Sequence, residues 1–227
     1  MKKIYTLLAL TISFSINAQW LLNSNGGWGI QTNFSTASGD HSTAMGNSTT
    51  ASGNYSTAMG NNTTASGDWS TAMGVLTTAS GSRSTAMGQG TEASGSRSTA
   101  MGQGTEASGD YSTAIGYNTT ASGYASSAMG RYTTASGYAS TAMGNSTTAS
   151  GGASTAMGWM TTASDYSSTV IGQYNSSGSS ATSADSFSTS APAFVIGNGT
   201  ASNAKSDAFK VMFNGDTTVS NDLTVNG

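Results

Sequence analysis

Cysteine is absent from this chain, histidine and proline occur once each, and charged residues make up only 7% of it. Each scarcity removes a class of protein. Without cysteine there is no disulfide framework and no thiolate metal site. An ordinary globular domain carries roughly 25% charged residues, so a surface built on ion pairs is excluded as well. Lys2 and Lys3 lie in the leader described below, which leaves five basic residues against ten acidic ones, a net charge of −5. Arg83, Arg97 and Arg131 stand singly along the chain, with no basic cluster for a phosphate backbone, so nucleic acid is not an expected partner.

The lone histidine, His41, precedes one of many repeat serines, and Asp40 beside it is not placed to orient an imidazole for nucleophilic catalysis. Asp40, Asp68 and Asp110 share one turn position that Asn54, Ser82 and Tyr124 also occupy. Calcium-binding rolls need paired, uninterrupted aspartates, so no metal is expected. Nothing in the chain is assigned as catalytic, cofactor-binding or metal-ligating, and an enzyme is not expected.

What the chain does have begins with Met1-Lys2-Lys3, an apolar run from Ile4 to Ile16, and the small-residue site Ile16-Asn17-Ala18. That order predicts a secretory signal peptide over residues 1–18. The run is too short to span a bilayer, and no other segment approaches that length. The expected product is exported, extracellular or on the outer cell surface, with no membrane-spanning segment in the mature chain.

Self-comparison then exposes the organising feature. Ser42-Thr43-Ala44-Met45-Gly46 returns every fourteen residues, with its glycine at Gly46, Gly60, Gly74 and onward without a slip to Gly172. A second anchor, Thr50-Ala51-Ser52-Gly53, keeps the same period until Asp165 replaces its glycine. A flexible Gly/Ser linker has no reason to hold register over ten copies. Fourteen residues are too few for a helical hairpin and show no 3.6-residue apolar period. They suit two short strands joined by two tight turns, with each side chain stacked on its copy about 4.8 Å away. The predicted fold is all-β: a parallel β-roll or β-solenoid of 14-residue coils.

Alternation along the first anchor puts Thr43 and Met45 on one face and Ser42, Ala44 and Gly46 on the other. The expected interior is the larger ladder: Met45, Met59, Met73, Met87, Met101, Ile115, Met129, Met143, Met157 and Ile171, facing Ala51 and its copies. The Ser-Ala-Gly face, with Ala86, Ala100 and Ala114 near its middle, would then be a wall of small side chains for subunit contact. The reverse assignment, with the Met ladder outside, stays open at this point. Either way one low-polarity ladder is left over for self-association to cover.

The two anchors together resemble the YadA-like head repeat of trimeric autotransporter adhesins, whose Ala-Ile-Gly element appears here mostly as Ala-Met-Gly, and as Ile at Ala114-Ile115-Gly116 and Val170-Ile171-Gly172. The resemblance covers about residues 35 to 174. It implies a left-handed roll, a homotrimer, and an adhesive outer surface directed at a host or matrix protein or glycan. The expected layout is a cap over 19–34, head repeats over 35–174, a Ser/Ala-rich inserted loop over 175–192, and a β segment like that of necks and tail fibres over 193–227. Within the last part, Ala193-Phe194-Val195-Ile196-Gly197 reads as one more anchor, and Ala208 to Val219 as a hairpin turning at Asn214-Gly215.

Function is sought in the two variable turn pairs of each coil, because the anchors are committed to ladders and packing. These turns hold most of the Tyr, Trp and Arg, the types that anchor interfaces. Tyr55, Trp69, Tyr111, Arg131, Tyr132 and Trp159 are the candidate partner-binding residues. Exposed apolar pairs at Val75-Leu76 and Trp159-Met160 also mark contacts. Two other readings remain: a structural fibre or matrix component with no specific ligand, and an ice-binding solenoid using the unbroken Thr49 column. Against ice, the adjacent Thr50 column is broken by Glu92 and Glu106, and neighbouring strand residues point to opposite faces.

Overall fold

In the computed structural model, which describes residues 19–22, 28–32 and 34–221, the repeats form two parallel sheets wound as one roll. Each coil contributes a five-residue strand such as Thr43–Asn47 and a two-residue strand such as Thr50–Ala51. The long strands join a 15-stranded sheet and the short ones a 10-stranded sheet. Pairing is in register from coil to coil: Thr85 lies beside Thr99, Met87 beside Met101 and Gly88 beside Gly102. The 14-residue period of the sequence is therefore the coil of a parallel β-solenoid, as expected.

The interior belongs to alanine, which corrects the expected methionine core. Ala44, Ala58, Ala72 and their copies on the long strands are fully buried, as are Ala51, Ala65 and theirs on the short ones. Met45 is 37% exposed, and Met59, Met73, Met87, Met101, Ile115, Met129, Met143, Met157 and Ile171 are only half-buried. The reason is thickness. Ser42 and Ala44 point inward from one sheet, and Thr49 and Ala51 from the other, all closed off from solvent. Side chains of that size let the sheets approach too closely for a thioether to fit between them. The Ser-Ala face is thus the lining of the roll, and Ala86, Ala100 and Ala114 are core residues rather than contact residues.

Close approach extends to the backbone. A Cβ on Gly53 would lie 2.1 Å from the carbonyl oxygen of Gly67, so the second glycine column is required by space alone. The inward serines satisfy themselves locally where their hydroxyls are bonded: Ser42, Ser98 and Ser168 donate to the carbonyl three residues back at 2.7, 2.7 and 2.8 Å.

The long sheet outlives the short one. Val170 pairs with Val195 and Ile171 with Ile196, so Ala193–Gly197 is a further anchor stacked on the last coil after an excursion. The strands Asp207–Met212 and Thr217–Val219 then add antiparallel. The short sheet ends at Thr162–Ala163, and side chains complete it. The Asn175 amide accepts from the Thr162 N–H and donates to the Thr162 carbonyl, both at 2.8 Å, as a next strand would. Asp165 is fully buried and accepts from the N–H groups of Thr182 and Ser183 at 2.5 and 2.7 Å. At the other end, Gln19–Leu22 pairs antiparallel with Trp28–Gln31, which joins the roll. The expected signal peptide over 1–18 lies outside the described residues.

Candidate functional site

The two turns of each coil stack into two rims that run along opposite edges of the roll. In both, the second turn residue adopts a left-handed backbone: φ is 57° at Tyr55, 57° at Trp69 and 59° at Tyr111 on one rim, and 54° at Tyr132 and 53° at Met160 on the other. The N–H of that residue donates to the coil below, as Tyr55 does to the Asp40 carbonyl at 2.7 Å and Trp69 to that of Asn54 at 2.8 Å. The turns are therefore rigid parts of the ladder. Their side chains project outward in a fixed series.

The six candidate residues are all exposed, but the structure divides them. Tyr55, Trp69 and Tyr111 lie on the rim that follows Ser-Gly; Arg131, Tyr132 and Trp159 lie on the rim that follows Met-Gly. On the first rim His41 stacks on Tyr55 with centroids 4.9 Å apart, and Tyr55 on Trp69 at 5.9 Å, each pair within 2° of parallel. Arg83 sits over Trp69 at 4.5 Å, and Arg97 over Tyr111 at 5.1 Å. Tyr111 continues to Tyr124 at 5.4 Å, and Tyr124 to Tyr138 at 5.3 Å. His41 is thus a rung of an aromatic stack. On the second rim Arg131 lies over Tyr132 at 4.5 Å, and Tyr117 meets Tyr132 edge-on at 5.5 Å. Trp159 stands apart from that group, beside Asn145 and Gln173 in the ladder.

Reading single turns missed the members contributed by neighbouring coils: His41, Arg83, Arg97, Tyr117, Tyr124 and Tyr138. The signal was present, because residues fourteen apart must stack once the period is accepted. Tyr117 and Tyr124 were the harder cases: Tyr124 occupies the first turn position and reaches Tyr111 in the second position of the coil below, and Tyr117 reaches Tyr132 in the second position of the coil above.

The acidic turn position has a structural duty. The carboxylate of Asp68 accepts from the Asn54 N–H at 2.9 Å, and that of Asp110 from the Ser96 N–H at 2.8 Å. Asn54 does the same for Asp40 at 3.0 Å. At these three steps the column ties one coil to the next, and asparagine serves as well as aspartate.

The threonine column proposed to meet ice faces the wrong way. Thr49 is 1% exposed, and its copies through Thr161 are equally closed inside the roll. Among the described residues no group of three His, Asp or Glu side chains is gathered that could hold a metal, and no helix is long and apolar enough to cross a membrane.

A thin parallel roll with 14-residue coils, glycine columns and variable turns defines a parallel β-solenoid. The chain belongs to the family of the YadA head domain repeat (2 copies), which matches residues 37–63, 64–91, 93–119, 121–147 and 149–175. That family is one of adhesin heads and not of enzymes. No curated protein matches the chain.

Proposed function

We propose that this chain is an exported adhesin head that assembles as a homotrimer and attaches through its turn rims. The observation that carries the reading is the ordered rim of large, exposed side chains, with Tyr55 and Trp69 about half exposed at 53% and 50%. Such residues at about 4.8 Å intervals form a repetitive surface, suited to many weak contacts with a host or matrix protein or glycan. Self-association is supported by the outward Met ladder. It runs the length of the long sheet beside the Thr43 column, and a second copy of the same face would cover it.

The deciding experiment replaces Tyr55, Trp69, Tyr111, Arg131, Tyr132 and Trp159 together by Ser. The expected outcome is an intact, fully assembled rod whose coated beads no longer attach to cell or matrix surfaces. Undiminished attachment would favour the structural-fibre reading, in which the rims are merely tolerated.

A further inference from the structure

Five successive rungs of the first rim carry Tyr55, Trp69, Arg83, Arg97 and Tyr111 at the left-handed position, with φ between 57° and 59°. Glycine takes that conformation without penalty, whereas other residues lose about 1–2 kcal/mol. The chain does use glycine at the matching place on the opposite rim, at Gly90 and Gly104. On the same rim Ala125, Ala139 and Ala153 hold this conformation at φ of 54°, 50° and 54°, so the coil sets the backbone and the large side chains of these five rungs are not needed for the turn.

The two arginines stand out in this series. They lie on adjacent coils, one rung apart, in a chain with only seven basic residues. Aromatic rings hold them there instead of carboxylates: Arg83 stacks on Trp69 below, and Arg97 on Tyr111 above. Among the described residues no Asp or Glu forms an ion pair with either. Asp68 and Asp110, which flank the pair on the same rim, have an oxygen committed to the backbone of Asn54 and Ser96. Arg97 donates to the Tyr111 hydroxyl at 2.6 Å, which fixes its plane and leaves its other N–H groups to solvent.

We infer that Arg83 and Arg97 form an oxyanion clamp for a linear acidic polysaccharide laid along the rim. Two guanidinium forks on adjacent coils, each seated on an aromatic ring, offer N–H donors matched to a sulfate or carboxylate group. The exposed edges of Tyr55, Trp69 and Tyr111 extend the contact to the sugars on either side. The rim is open, and the two cavities beside Lys210 lie far along the rod near the C-terminal hairpin, so an extended polymer fits better than a compact ligand. This inference rests on the adhesive reading of the rims and names the ligand class for one of them.

The test measures binding of the mature chain to three polysaccharides of matched length: one sulfated, one carboxylated and one neutral. The sulfated polymer, the carboxylated one or both should bind, the neutral one should not, and binding should weaken as salt is raised. Which of the two binds identifies the anion. R83Q/R97Q should lower affinity at least about tenfold, because a charge-assisted contact is lost at each site. R83K/R97K should also bind less tightly than wild type, since lysine keeps the charge but not the planar fork. K205Q/K210Q, far from the clamp, should bind as wild type. Equal affinity of R83Q/R97Q and wild type, equal binding of the neutral polymer, or no binding of either acidic one overturns the assignment. Bead attachment that survives R83Q/R97Q but not the six-residue replacement would leave the adhesin reading standing with a different ligand.

Discussion

Gly88 and Gly102 touch across neighbouring coils so closely that a Cβ on Gly88 would lie 1.9 Å from the Gly102 carbonyl oxygen. Gly88 also has φ of +125°, outside the range of L side chains. Gly88→Ala should therefore break the ladder, with a loss above about 4 kcal/mol or failure to fold. Gly90, two residues on, has φ of +59° and open space where its Cβ would go. Gly90→Ala should cost only about 1–2 kcal/mol. Thermal unfolding of the two variants separates a steric requirement from a conformational preference.

The Met ladder gives a second expectation. Met87 and Met101 are neighbours on the outer face of the long sheet and are half-buried in the single chain. Met87→Lys with Met101→Lys should abolish the proposed trimer while the β-solenoid signal in circular dichroism persists. Ala100→Phe, one residue away but fully buried, should instead unfold the coil by overpacking. Light scattering and circular dichroism on both variants check the pair. A trimer unaffected by the two lysines would place the subunit contact elsewhere.

These contrasts mark what the sequence could disclose. Period, register and parallel pairing were legible because nine identical spacings admit one spatial solution, and the displaced anchor at Ala193–Gly197 was legible from its residue types. The inside and outside of the roll were not. Alternation separates Ala44 from Met45 but does not say which faces in, and the answer depends on the distance between sheets. That distance follows from Thr49, Ala51 and Ser42 all facing inward, a fact of three dimensions. The rim ladder was half legible: the contacts of Arg83 and Arg97 follow from their fourteen-residue spacing to Trp69 and Tyr111, but the diagonal contact of Tyr124 with Tyr111 does not.

The end of the short sheet carries a third expectation. Asn175 is 1% exposed and substitutes for a missing strand, with its Nδ2 also donating to the Ser177 carbonyl at 2.7 Å. Asn175→Ala should leave the Thr162 N–H and carbonyl without partners, a loss of about 1–3 kcal/mol. Hydrogen exchange should then show faster opening at Thr162 than at Thr120, which keeps a strand on both sides. Equal protection at the two sites would mean that the amide is dispensable.

The last expectation asks whether the rim exists for stability. Trp69 holds φ of 57° and stacks between Tyr55 and Arg83. Trp69→Gly removes those stacking contacts, worth about 0.5–1.5 kcal/mol for an aromatic pair and about 0.5–1 kcal/mol for an exposed cation–π contact. It also relieves a left-handed residue, a gain of about 1–2 kcal/mol, partly offset by the greater backbone entropy of unfolded glycine. The terms nearly cancel, so the melting temperature should move by only a few degrees in either direction. Bead attachment and acidic-polysaccharide binding should nevertheless fall, because the edge that faces a ligand is gone and Arg83 loses its support. A large drop in stability with attachment unchanged would show the opposite: that the stack is a structural brace and the tryptophan is held in its strained turn to strengthen the rod.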